Sequence, residues 1–227
     1  WPTSITGKGF RENLYYTDGA GTPCYNGDIS SQQWKTDNES GIRGYKFAYD
    51  GLDRLTTATY GERADMGFNT GRYDERVTGY TANGSMTGLR RNGKMNDGTY
   101  GLVDDLDITL NGNQLYSIAD KAAPVSYDGA FDFRDNTVSG TGAEYQYDGN
   151  GNLVSDTNKG IAKIEYDNMN HPRRIQFTNG NVTEYVYTST GEKLRTIHRT
   201  AAANTLSVDS TDYIGNFIFR NGKADKY

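Results

Sequence analysis

One cysteine, Cys24, stands alone among 227 residues, so no disulfide forms within the chain and a thiolate zinc site is excluded. No nucleophile signature surrounds it, and it reads as a small, partly buried residue. The two histidines, His171 in the turn Asn170-His171-Pro172 and His198 at the end of a strand-like run, share neither metal-ligand nor triad spacing. Long apolar runs are missing too. Hydrophobic residues make up 34% of the chain and mean hydropathy is -0.81, and no stretch approaches the roughly 20 apolar residues of a membrane-spanning helix. Positive charge is not in excess: 24 Lys and Arg against 29 Asp and Glu leave a net charge of -5 and a pI near 5.1. The densest basic patches are the pairs Arg90-Arg91 and Arg173-Arg174, too small for a surface that tracks phosphates, so no nucleic-acid partner is expected. Around Trp1-Pro2-Thr3-Ser4 no charged segment leads into an apolar one, and no secretory leader is expected in this stretch.

What the chain has in quantity is glycine (28) and tyrosine (18), with 8 Phe and 2 Trp. Low hydropathy and abundant glycine lean toward disorder, but aromatic rings favour strands and bury a large surface behind a polar tip, so the composition reads as folded β structure. A phrase recurs at about 20-residue intervals: Tyr145-Gln-Tyr-Asp-Gly-Asn-Gly-Asn-Leu153, then Ile164-Glu-Tyr-Asp-Asn-Met-Asn-His-Pro-Arg-Arg-Ile175, then Tyr185-Val-Tyr-Thr-Ser-Thr-Gly-Glu-Lys-Leu194. Each copy is an alternating aromatic run, a polar turn and an aliphatic residue that restarts the alternation, which is the pattern of strand, tight turn, strand. Tyr45 to Tyr60 holds another copy, and Tyr80 to Met86 restores the phrase; in both, as in Tyr147 to Leu153, tyrosine and apolar residue lie six apart. Asn-Gly occurs at 26, 83, 92, 111, 150, 179 and 221, and Asp-Gly at 18, 50, 97, 128 and 148, about one such dipeptide per repeat.

The expected fold is therefore all-β, a meander of long antiparallel β-hairpins forming a twisted or spiral sheet with little helix, because lone hairpins are marginal in water and must stack sideways. Residues 1–227 read as a single sheet region: 1–44 divergent opening hairpins, 45–119 repeats, 120–143 an irregular insertion with Pro124, Phe131 and Phe133, and 144–227 the clearest repeats. The final hairpin, 213–223, has no later strand to cover its edge, so the chain is expected to be an excerpt of a longer one. The turn residues expected to shape the repeats are Asp50, Gly51, Asp148, Gly149, Gly151, Asn179 and Gly180, with positive φ assigned to the two-residue Asp-Gly and Asn-Gly turns.

Function-bearing candidates are few. Asp148 to Asp156 has the oxygen ligands of a calcium loop, but the sixth and twelfth positions hold Leu153 and Lys159 instead of Gly and an acid, so a plain turn is expected. Asp104, Asp105 and Asp107 form a carboxylate group suited to acid/base or metal work, weighed against a solvated strand start. Exposed rings of Tyr145, Tyr147, Tyr166, Tyr185 and Tyr187 offer a platform for sugar faces, weighed against cross-strand ladders that hold the sheet together. No catalytic set, metal or cofactor is expected.

Tyr49-Asp50-Gly51-Leu52-Asp53-Arg54-Leu55, Tyr147-Asp148-Gly149-Asn150-Gly151-Asn152-Leu153 and Tyr166-Asp167-Asn168-Met169-Asn170 resemble the Tyr-Asp repeats of the Rhs/YD-repeat family. Tyr25-Asn26-Gly27-Asp28-Ile29-Ser30 and Tyr213-Ile214-Gly215-Asn216-Phe217-Ile218 resemble phrases of members found in Bacteroides-like bacteria. The resemblance covers most of the chain and implies a long β-sheet wound into a spiral or hollow shell, in large secreted or cell-surface proteins. It further implies a non-enzymatic structural role that encloses a C-terminal toxin cargo or mediates cell-surface contact, with the rest of a longer chain as partner. The alternative it leaves open is a carbohydrate-binding module for surface glycans.

Overall fold

The computed structural model describes residues 1–135, 142–202 and 205–226. All regular structure among them is antiparallel β, with no helix. The first sheet runs in chain order through β1 (Ser4–Gly7), β2 (Phe10–Tyr15), β3 (Ser31–Thr36), β4 (Arg43–Tyr49), β5 (Leu55–Glu62), β6 (Glu75–Tyr80), β7 (Met86–Lys94), β8 (Tyr100–Asn111) and β9 (Gln114–Asp120). The second runs equally in order through β10 (Tyr145–Tyr147), β11 (Leu153–Asp156), β12 (Ile161–Tyr166), β13 (Pro172–Phe177), β14 (Val182–Tyr187), β15 (Lys193–Ala202), β16 (Thr205–Ile214), β17 (Phe217–Arg220) and β18 (Lys223–Lys226). Each strand pairs with its sequence neighbours, so this is the expected meander; neither sheet closes into a barrel.

Where one sheet region is expected over 1–227, two form, and the ladder breaks in the stretch read as an insertion. Its described part after β9 carries no strand, and residues 136–141 of that insertion lie outside the described residues. The chain divides into two compact units, Trp1–Asn113 with Ile118–Arg134, and Gln114–Ser117 with Asp135–Tyr227. In the first, residues 121–134 form a strap that folds back on its own sheet. Its Val125 is buried, its Ser126 N–H donates to Asn96 Oδ1 at 2.9 Å, and its Phe133 N–H donates to Asp104 Oδ1 at 2.7 Å. Pro124 lacks the donor that a continuing ladder needs, so the strap borrows side-chain acceptors instead.

The buried core is thin, a few aliphatic side chains such as Val103 and Leu106 beside the ring of Tyr60, and a half-buried row of rings extends it. In the first unit Trp34, Tyr45, Tyr60, Tyr73 and Tyr100 form a chain of ring contacts across β3 to β8, with successive centroids 5.8, 5.6, 5.0 and 5.3 Å apart. Edge-to-face packing along three of those four steps matches ring edges to π faces. Met66, wholly buried, packs from the loop after β5 onto the face of β4 and β5 opposite the rings of Tyr45 and Tyr60. It sits there because Gly44 and Gly61 lack side chains: a Cβ at 61 would lie 2.2 Å from Met66 O, and one at 44 would lie 2.9 Å from Met66 Cε. In the second unit Tyr145 and Ile164 are buried beside Thr183 and Thr196, so polar side chains occupy positions that a thicker domain fills with aliphatics.

Two turn expectations need correction. Asn92-Gly93 lies inside β7, and the turn follows at Met95–Thr99. Gly51 and Gly149 do not have positive φ; in those copies the left-handed residue comes two places later, at Asp53 (φ 58°) and Gly151 (φ 84°). Met66→Ala is expected to cost about 2 kcal/mol or more, by opening a cavity that the surrounding backbone cannot close, and the urea midpoint of unfolding measures it.

Candidate functional site

Seven turns share one backbone geometry, and it explains the repeated phrase. They span 50–54, 81–85, 95–99, 148–152, 167–171, 177–181 and 188–192. In each, the first N–H donates to the fifth carbonyl and the fourth N–H donates to the first carbonyl; in 148–152 these bonds are 2.9 and 3.0 Å. The fourth residue is left-handed in every case: Asp53, Gly84, Gly98, Gly151, Asn170, Gly180 and Gly191. This is a type I turn followed by a bulged left-handed residue, the three-residue hairpin loop whose twist suits a right-handed sheet. It differs from the two-residue loop expected from the dipeptides, because the type I turn takes an ordinary residue at positions two and three and demands positive φ only at four.

The aspartate of the phrase occupies position one and closes the turn with its side chain. Asp50 Oδ1 accepts from Leu52 and Arg54 N–H at 2.8 and 3.1 Å, Asp148 Oδ1 from Asn150 and Asn152 N–H at 2.9 Å each, and Asp167 Oδ1 from Met169 and His171 N–H at 2.8 and 2.9 Å. Thr188 does the same with its hydroxyl. Where position one is Phe177, Asn179 at position three takes over and accepts from Asn181 N–H. Donated hydrogen bonds favour the ionised carboxylate, so all three aspartates are held below the usual carboxylate range: Asp50 by the Arg54 side chain first, Asp148 by the Asn152 side chain first, and Asp167 by the His171 backbone first.

The tyrosine before that aspartate ties one hairpin to the next. Tyr49, Tyr80, Tyr147, Tyr166 and Tyr187 each pair across the turn with the residue six places on: Leu55, Met86, Leu153, Pro172 and Lys193. The register shifts by one just before each of these tyrosines, which swings the ring toward the preceding copy. Tyr49 donates its hydroxyl to Ile29 O at 2.8 Å, and in three later copies the hydroxyl donates to the carbonyl six places after the preceding copy's tyrosine. Tyr80 reaches Leu55 O, Tyr166 reaches Leu153 O at 2.7 Å, and Tyr187 reaches Pro172 O at 3.0 Å. Turn tips are bridged as well. Asn150 and Asn152 both donate to Asn170 Oδ1, and Arg54, pairing with Asp50 at 2.7 Å, also reaches Thr81 O and lies over the Tyr80 ring.

The five tyrosines considered as a sugar platform are thus not exposed. Tyr145 is buried and accepts from Asn158 Nδ2; Tyr147, Tyr166, Tyr185 and Tyr187 are half-buried. Tyr187 stacks on the His171 ring at 4.9 Å, and Lys193 Nζ lies 4.7 Å from the centre of the Tyr185 ring. Burial pushes the hydroxyls of Tyr145, Tyr166, Tyr185 and Tyr187 up from the ordinary tyrosine value.

The remaining candidates separate. Asp104 is fully buried and pairs with Arg91 at 2.7 Å, Asp105 grips Arg90 through both carboxylate oxygens, and Asp107 pairs with Lys121. The expected trio therefore does not converge. The structure instead brings Asp104 together with Asp120 and Asp132, ligand atoms within 4.8 Å of one another, a grouping hidden in the sequence because it joins two strands and the strap. Asp132 is pushed up from the usual value by burial first, then by Asp104 and Asp120. Cys24 Sγ donates to Thr22 O at 3.5 Å, and burial with Asp28 and Asp53 nearby raises its thiol, which keeps it protonated and weakly nucleophilic. His198 meets Thr183 Oγ1 at 3.0 Å, and His171 Nδ1 meets Asp167 at 3.1 Å. No helix among the described residues is long and apolar enough to cross a membrane.

No family model matches the chain, and no curated protein matches it. Solved toxin-complex structures do. A crystal structure of TcdB2-TccC3 matches at 14% identity and TM-score 0.46, covering 96% of this chain and 11% of that one. The same complex without its hypervariable C-terminal region matches at 14% identity and TM-score 0.47, with coverage of 96% and 11%. The Tc holotoxin pore of Photorhabdus luminescens matches at 13% identity and TM-score 0.46, covering 97% and 11%. This chain spans 11% of the length of these chains, and at such identity and TM-score the likeness assigns no activity.

Gly151→Val is expected to destabilise by about 1 kcal/mol or more, since a β-branched residue is strained at φ 84°; a chemical-denaturation midpoint reads it. The turn aspartates also set a pH dependence. Because their folded pKa values lie below the unfolded ones, their contribution is fully present above the usual carboxylate range and is lost as pH falls through the lowered folded values. Thermal midpoints followed downward from pH 6 should drop in acid, and a variant combining Asp148→Asn and Asp167→Asn should drop less steeply.

Proposed function

We propose that this chain is a non-enzymatic structural segment of a Rhs/YD-repeat protein, a length of wall in a β-shell or surface stalk. The observation that carries the reading is the tyrosine tie: the two residues that define the repeat are engaged in closing one hairpin and joining it to the preceding one. A side chain committed in this way in copy after copy makes a module that propagates by addition, as nearest-neighbour repeat architectures do. The partner in this reading is the rest of the same longer polypeptide, with a C-terminal toxin cargo enclosed, and the location is secreted or at the cell surface. The burial of Tyr145 and the half-burial of the other four platform tyrosines favour this reading over glycan binding.

Electron microscopy of the polypeptide purified from its source tests the proposal. A continuous wall of stacked hairpins around internal density, or projecting as a stalk, is the expected image; a compact free particle of 25.2 kDa would overturn it. A glycan panel probed with the same material is expected to stay at background, and a saturable sugar signal abolished by Tyr185→Ala would replace the proposal with the carbohydrate-binding alternative.

A further inference from the structure

Between the strap and the sheet of the first unit lies a cavity of about 320 Å³, at the small end of ligand sites. Its lining carries four rings: Tyr45 from β4, Tyr73 from the loop between β5 and β6, and Tyr127 and Phe131 from the strap. Tyr45 hydroxyl donates to Tyr73 O at 3.0 Å, and Tyr73 hydroxyl donates to Tyr100 at 3.4 Å, so these two rings turn their polar tips to the protein. Phe131 also lines the cavity and is 84% exposed, so it stands at the open side.

The charges in the cavity are unevenly committed. Arg91 stands opposite Glu75 in the β6–β7 register, but it is drawn to the buried Asp104 at 2.7 Å. Glu75 is left exposed, with no ion pair or side-chain hydrogen bond among the described residues. Its field is felt in the site: burial first, then Glu75, push the Tyr45 hydroxyl up to about 12. Lys94 Nζ lies 5.7 Å from the centre of the Tyr127 ring and makes no ion pair among the described residues, so the chain's own ammonium already leans on one aromatic face.

We propose that this cavity binds a small ligand carrying a protonated or quaternary amine. The Tyr127 face presents negative quadrupole potential, the unpaired Glu75 carboxylate on the same cavity adds to it, and a cation between them gains both terms. Lys94 competes for the same face. The proposal is independent of the shell reading, because it concerns one cavity of one unit and not the repeat.

The test is a nuclear magnetic resonance titration of the 227-residue chain with choline chloride and, separately, with its neutral isostere 3,3-dimethylbutan-1-ol. Choline is expected to shift the resonances of the strap and of Tyr45 saturably, with the alcohol roughly tenfold weaker. Glu75→Gln is expected to weaken choline binding several-fold and Lys94→Gln to strengthen it; both sites are exposed, and unfolding midpoints measured alongside should match the parent. Phe131→Ala should weaken both probes. Equal affinity for alcohol and choline would reduce the cavity to an apolar slot and overturn the proposal. So would the absence of a saturable shift at millimolar choline, or weaker binding in Lys94→Gln with an unchanged midpoint.

Discussion

The structure depends on one constraint, the closing of each repeat turn by one of its own side chains, at the first position in most copies and at the third in 95–99 and 177–181. A meander of hairpins has period-two side chains, so a slip of one residue at any turn sends every following ring to the other face. Asp50, Asp148 and Asp167 prevent that by fastening two backbone amides each, and the left-handed fourth residue sets the bulge that realigns the strands. The register shift beside the tyrosine follows from the same bulge. Tyr166 and Tyr187 reach the preceding hairpin because the turn has already turned them toward it.

Such local fastening compensates for a shallow core. With 34% hydrophobic residues, each sheet has little aliphatic volume to bury, and the first unit relies on a row of rings on one face of β4 and β5 and on Met66 on the other. The left-handed positions show how the choice of residue follows the neighbours. Glycine serves where only the φ matters, while Asn170 stands in the same conformation because its side-chain carbonyl receives Asn150 and Asn152 from the preceding turn. Gly191, one copy later, has no such freedom, since a Cβ there would lie 2.9 Å from the His171 ring.

Much of the architecture was legible in the residues because its causes are local. Alternation located the strands, and the spacing of six from Tyr147 to Leu153 is the cross-strand pair that closes the hairpin. Turn type was misread at Asp50-Gly51 and Asp148-Gly149, since the dipeptide looks the same whether its aspartate is a turn's first residue or its third. Asn92-Gly93 was misread for a related reason: a strand with a partner on each side tolerates a glycine pressed against Val103. The carboxylates at 104, 105 and 107 looked like a group because they are close in sequence, yet each meets a different cation.

The sequence by itself determined the β class, the hairpin order and the side-chain alternation, because each follows from backbone preferences acting over a few residues. Only the tertiary structure decided that the meander splits into two sheets, that the repeat tyrosines are half-buried ties, that Asp104 meets Asp120 and Asp132, and that the strap roofs an aromatic cavity. Those outcomes turn on contacts between different hairpins, where distance and burial arise from packing; the recurring tyrosine marks each copy in the chain but not the carbonyl that its hydroxyl reaches.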